Sequence, residues 1–100
     1  MSVRHIVLFS WNPDVDQAHI DGFTAALAQL PAKIPEIRHY EFGPDLAIVE
    51  GNYDFAVTAV FDDDAGYRIY REHPAHQAVL AEYSVGRMNQ RAAVQIHIDD

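Results

Sequence analysis

Residues 53–61 read Tyr53-Asp54-Phe55-Ala56-Val57-Thr58-Ala59-Val60-Phe61, and this stretch decides the fold. It is rich in β-branched and aromatic residues and holds no Gly or Pro, the composition of a strand. Side chains alternate across a strand, so Tyr53, Phe55, Val57, Ala59 and Phe61 share one face. Ala56, Thr58 and Val60 take the other. Only Asp54 and Thr58 are polar, whereas a sheet shielded on one side alternates apolar with polar. Residues 3–11 repeat the pattern, with Val3, His5, Val7, Phe9 and Trp11 on one face and Ile6 and Leu8 on the opposite one.

Working outward, Asn12-Pro13-Asp14 ends the first strand. Asp14 and Gln17 have the spacing of a capping box, which predicts a helix starting near Asp16. Ile20, Phe23, Leu27, Leu30 and Ile34 form one apolar stripe along it. Pro31 and Pro35 are expected to close it. Residues 37–46 read as a second, more polar strand bent at Gly43-Pro44, and Gly51-Asn52 as a turn. Asp62-Asp63-Asp64 suits the positive end of a helix dipole, predicting a short helix over 63–72. Pro74 at a first helical position predicts another from 74 to about 87. Residues 90–98 form the last strand.

The order β-α-β-β-α-β, with its second helical stretch broken, is that of a ferredoxin-like α+β sandwich, read as a single domain over 1–100. Helices cover one sheet face. The second apolar face then predicts a homodimer packed through the sheets, a dimeric α/β barrel.

Composition narrows the function. The chain has 100 residues, 49% hydrophobic and 22% charged, and a net charge of −8. That field repels nucleic acid and anionic lipid. No apolar run approaches the ~18 residues of a membrane span, and the N-terminus lacks a cleavage site, so the cytoplasm is expected. There is no cysteine, which removes disulfides, thiolate nucleophiles and Cys-type zinc sites. There is no Gly-rich phosphate loop and no nucleophile elbow. His73 and His76 have ligand spacing, but Pro74 between them sets cap geometry, and zinc needs three or four protein ligands. No metal or cofactor is expected.

The chemistry falls to histidine and tyrosine. His76 shares a helical stripe with Val79, Leu80 and Tyr83, and His5 shares a strand face with Val7 and Phe9. Tyr70, His73 and His76 follow at steps of three. Such groups converging between helices and sheet suit a small-molecule site, with Phe23, Leu27, Phe55 and Val79 as apolar lining. A buried, unpaired imidazole stays neutral and accepts a proton. A phenol beside it steadies an enolate oxygen. The blander reading makes His5 and His76 satisfied core residues. It makes His73 a helix cap, His39 a half-solvated strand residue, and His19 and His97 surface residues.

His5-Ile6-Val7-Leu8-Phe9, Ile34-Pro35-Glu36-Ile37, Tyr53-Asp54-Phe55-Ala56 and above all His73-Pro74-Ala75-His76 resemble the stress-responsive A/B barrel domain family, across nearly the whole chain. The resemblance implies a dimeric barrel of two ferredoxin-like subunits. Some members, the olivetolic acid cyclase-type proteins, close a polyketide by aldol condensation without a cofactor; many have no known activity. By that resemblance His5, Tyr70, His73 and His76 match active-site positions, His76 as base with Tyr70 assisting. Phe55 stands where the cyclase has a further histidine, which argues against the same substrate. The expected activity is thus a cofactor-free cyclase or lyase step on a small apolar carbonyl or aromatic compound. The alternative is a non-catalytic stress-response or ligand-binding protein. A cavity beside His76 separates the two readings.

Overall fold

The computed structural model describes residues 1–99. Residue 100, the end of the expected domain, lies outside them. The elements are β1 (Ser2–Trp11), α1 (Gln17–Lys33), β2 (His39–Pro44), β3 (Phe55–Phe61), α2 (Asp64–Glu72), α3 (Pro74–Val79), a π-helical turn (Leu80–Ser84) and β4 (Met88–Ile98). The four strands pair antiparallel in the order β2-β3-β1-β4, and the helices lie against one face, a ferredoxin-like α+β fold.

The two-faced reading of β1 and β3 translates directly into register. Val3 pairs with Phe61, His5 with Ala59, Val7 with Val57 and Phe9 with Phe55, and this row faces the helices. Phe23, Leu27, Leu30 and Ile34 of the α1 stripe are buried on it. The core is dense in rings: Phe9 stacks on Phe55 at 5.4 Å, and Trp11 and Phe23 meet that pair edge-on. Ile6, Leu8, Ala56, Thr58 and Val60 lie on the reverse, where β4 adds Val94 and Ile96, still 50% and 44% exposed. No helix of the described residues covers that face.

Several boundaries differ from the sequence expectation. The cap of α1 is Asp16, whose carboxylate accepts from the His19 N–H, because Val15 N–H bonds to Asn12 O and holds Asp14 inside a turn. Pro31 does not close α1. It sits in the last turn, where its missing N–H forfeits one bond and the ladder resumes at Ile34 to Leu30 O. β2 is shorter than expected at both ends, β3 begins at Phe55, and β4 begins two residues early, at Met88.

The last helical stretch does not run as one α-helix to Arg87. It changes to π winding at Leu80 and ends at Ser84, with Val85 N–H reaching Leu80 O at 3.0 Å. Gly22 of α1 gives this turn room, since a Cβ there would lie 3.0 Å from the Tyr83 ring. His19 is not a plain surface residue: its ring packs edge-on to Trp11, and its Nε2 lies 2.9 Å from Tyr83 O. Among the described residues, no helix is long and apolar enough to cross a membrane.

Candidate active site

Between the helices and the sheet lies a cavity of about 490 Å³. Its body is apolar, formed by Phe9, Phe23, Leu27, Val57 and Val79. Into it come His5 from β1, Tyr40 from β2, Tyr70 from α2 and His76 from α3. Hollows of comparable size open against Leu8 and Ala56 and between Trp11 and Thr24, and neither holds a histidine.

The break between α2 and α3 positions His76. Pro74 cannot continue a ladder, and His73 turns to extended backbone, its Nδ1 accepting from the Ala75 N–H at 3.0 Å as the cap of α3. The interruption leaves the last carbonyls of α2 without helical partners. Arg71 O is one of them. It accepts from the Gln77 side-chain amide at 2.6 Å, and His76 Nδ1 lies 3.2 Å from it. A carbonyl only accepts, so Nδ1 carries the proton and the lone pair of neutral His76 resides on Nε2. Burial holds His76 below the ordinary histidine pKa, against the opposing pull of that carbonyl, and nearby His73 lowers it further.

Tyr70 lies beside it, with ring centroids 4.2 Å apart and planes 31° from parallel. Its hydroxyl is 2.8 Å from that of Tyr40. Burial pushes the Tyr70 phenol up to about 12; the Tyr40 bond works the other way, and the Tyr67 ring adds to the rise. Either hydroxyl can donate in this bond, and with Tyr40 as the donor the Tyr70 O–H is open to a cavity guest. Burial also raises Tyr40, so both phenols are neutral at ordinary pH.

His5 is 5% exposed. Burial, then the Arg91 cation, then His76 bring its pKa down to about 4. Gln95 Nε2, an amide donor, lies 2.9 Å from His5 Nδ1, so neutral His5 carries its proton on Nε2. Its ring centroid is 5.0 Å from that of Tyr67 and 6.1 Å from that of Tyr70. The cavity thus presents a lone pair at His76 and hydrogen-bond donors at Tyr70 and His5.

Of the eight residues singled out from sequence, His5, Phe23, Leu27, Tyr70, His76 and Val79 line the cavity. His73 and Phe55 are not among its lining: His73 caps α3, and Phe55 is buried between Phe9, Trp11 and Phe23. The sequence reading missed Tyr40, Tyr67, Arg71, Ser84 and Arg91. For Tyr40 a signal existed, since Tyr40 and Phe42 alternate on one face of β2. Ser84 comes from the π turn, which has no such signature. Its Oγ is buried and has no hydrogen-bond partner among the described residues. No group of three His, Cys, Asp or Glu side chains among those residues is placed to hold a metal ion.

Comparison with known proteins agrees with this architecture. A dimeric ferredoxin-like protein of unknown function from Thermobifida fusca is 45% identical over 98% of this chain and 92% of its own, with a TM-score of 0.90. A hydroxynitrile lyase from Passiflora edulis has a TM-score of 0.85 over 99% of this chain and 94% of its own; at 20% identity it shares the fold. An uncharacterised protein of Streptomyces coelicolor is 35% identical over 81 residues, covering 79% of this chain and 84% of that protein. The model of the stress responsive A/B barrel domain matches residues 3–96, and the chain belongs to that family.

Proposed function

We propose that this protein is a cofactor-free proton-transfer enzyme acting on a small, largely apolar carbonyl compound, by aldol-type cyclisation or a related lyase step. The observation that carries the reading is the pairing of His76 and Tyr70 in the cavity, with Nδ1 of His76 tied to Arg71 O. Nε2 of His76 takes a proton from the carbon alpha to the carbonyl. The electron pair moves onto the carbonyl oxygen, which the Tyr70 O–H holds. The enolate carbon attacks a second carbonyl of the same molecule, and the new alkoxide recovers the proton from His76. Passiflora edulis supplies a precedent for lyase chemistry on this fold.

The working unit in this reading is a cytoplasmic homodimer. The open sheet face, with Ile6, Leu8, Val94 and Ile96, meets its counterpart in a second copy, and each protomer keeps its own cavity. The dimeric Thermobifida fusca relative supports this assembly.

The test needs no known substrate. A panel of aryl and alkyl ketones in D₂O is followed by NMR for exchange of the alpha protons. The native protein accelerates exchange for part of the panel; His76→Gln, which keeps the fold, loses at least about a hundredfold of it. Exchange that survives H76Q unchanged, or no acceleration by the native protein, refutes the assignment and leaves a non-catalytic ligand-binding protein.

A further inference from the structure

We infer that the cavity takes a carboxylate-bearing guest, an apolar keto acid, whose acid group is held at Arg71 and Arg91. The inference deepens the proposed function and rests on it for the position of the carbonyl.

The charge distribution carries the argument. The chain has 15 Asp and Glu against 7 Lys and Arg, yet among the described residues no acid lines the cavity, while two arginines do. Arg71 comes from the end of α2. Arg91 comes from the helix-facing row of β4, opposite Phe9. A third arginine, Arg68, lies one turn before Arg71. With Asp64, Tyr67, Arg71, Gln95 and His97 it lines a separate cleft of about 330 Å³, where the Asp64 carboxylate lies within the field of Arg68; the cleft shares Tyr67 and Arg71 with the cavity. Among the described residues, neither Arg71 nor Arg91 is ion-paired: the pairs formed are Arg38 with Asp62 and His97 with Asp64.

In a chain of net charge −8, two arginines without an ion pair, in a lining that holds no acid among the described residues, make a local positive field at an apolar hollow. Guanidinium groups match a carboxylate through paired N–H donors. The cavity holds a second unused polar group, the buried and unpartnered Ser84 Oγ. The neutral rings of His5, Tyr70 and His76 add no compensating anion. A guest therefore lays its apolar body against Phe9, Phe23 and Val57, its carbonyl toward Tyr70, and its acid group toward the arginines.

The probes are 4-oxo-4-phenylbutanoate, its methyl ester and the matching phosphonate, titrated into the full-length protein by calorimetry. The native protein is expected to bind the acid about tenfold more tightly than the ester. Raising NaCl from about 0.05 to about 0.5 M should erode the acid's advantage and leave the ester unchanged. Arg71→Gln and Arg91→Gln each reduce the preference, and the double variant abolishes it without changing ester affinity. Both side chains are exposed, so the fold tolerates the change, and circular dichroism melts check that. Equal binding of acid and ester, no binding of either, or a preference that survives the double variant overturns the inference. A phosphonate held more tightly than the carboxylate overturns it in favour of a phosphate-bearing guest. The acid preference is independent of turnover. H76Q retaining the preference while native exchange fails would remove the proton-transfer reading alone; exchange without the preference would remove this inference alone.

Discussion

The buried His5 makes folding stability depend on acidity in a defined window. Its pKa falls from 6.5 in the open chain to about 4 in the fold, chiefly because burial penalises the cation. Between these values the unfolded chain binds a proton that the folded one refuses. Stability from this residue is complete above pH 6.5, drains as the pH falls, and is spent near pH 4. At ~1.36 kcal/mol per pH unit the gap is worth about 3 kcal/mol. For a domain whose stability is of order 5–15 kcal/mol, that is a large share.

The perturbation is His5→Phe, which places another ring beside Tyr67 and Tyr70 and frees exposed Gln95 to bond to water. Urea unfolding at pH 7, 5.5 and 4, at one fixed protein concentration, gives stability curves for both proteins. Acid titration of the carboxylates is common to the two and cancels in the difference. Native protein should lose about 3 kcal/mol more than H5F between pH 7 and pH 4. Parallel curves, or an NMR titration placing His5 at 6.5 or above in the folded protein, refute the reasoning.

Tyr40→Phe removes the hydroxyl that Tyr70 is bonded to, so the Tyr70 phenol should rise further, and ketone exchange should slow by about tenfold, read by NMR in D₂O. Exchange should rise with pH through the depressed His76 pKa and level off at lower pH than an ordinary histidine would allow, because the base works only when neutral; a profile still climbing past pH 8 contradicts it. Phe55→Ala empties the centre of the ring cluster and should cost ~3–5 kcal/mol in urea unfolding, while exchange per folded molecule stays near native because Phe55 is not part of the cavity wall.

The parts of the fold legible in the chain are those fixed by short periods. β3 alternates at period two, and the register realises that alternation pair by pair from Val3–Phe61 to Phe9–Phe55. The α1 stripe repeats at three and four, and its members are the buried ones. Capping was half legible: the Asp14–Gln17 spacing placed the helix start correctly near Asp16, but a backbone turn from Val15 to Asn12 holds Asp14 and gives the cap to Asp16. In the cavity, His5 and His76 stood out because each sits on an apolar face, and Tyr70 because it falls at a step of three before His73. Tyr40 required the β2–β3 register, which brings it opposite Ala59 and within reach of Tyr70. Phe55 faces the helices as expected, yet the rings of Phe9, Trp11 and Phe23 pack around it, so sharing a face did not mean sharing the cavity.

The π turn at Leu80–Ser84 carries one residue more than an α-helical turn would need, and three of the cavity's lining residues, Leu80, Ser84 and Val85, come from it or just after it. Deleting one residue there would let the segment relax to ordinary winding with the chain on either side kept in place, because the wider turn is what absorbs the extra residue. Ser84 would leave the hollow, and a neighbour of different size would replace it. Insertion or loss of a single codon therefore gives this scaffold a way to reshape its interior that substitution lacks, with the sheet and the His76–Tyr70 pair left in place.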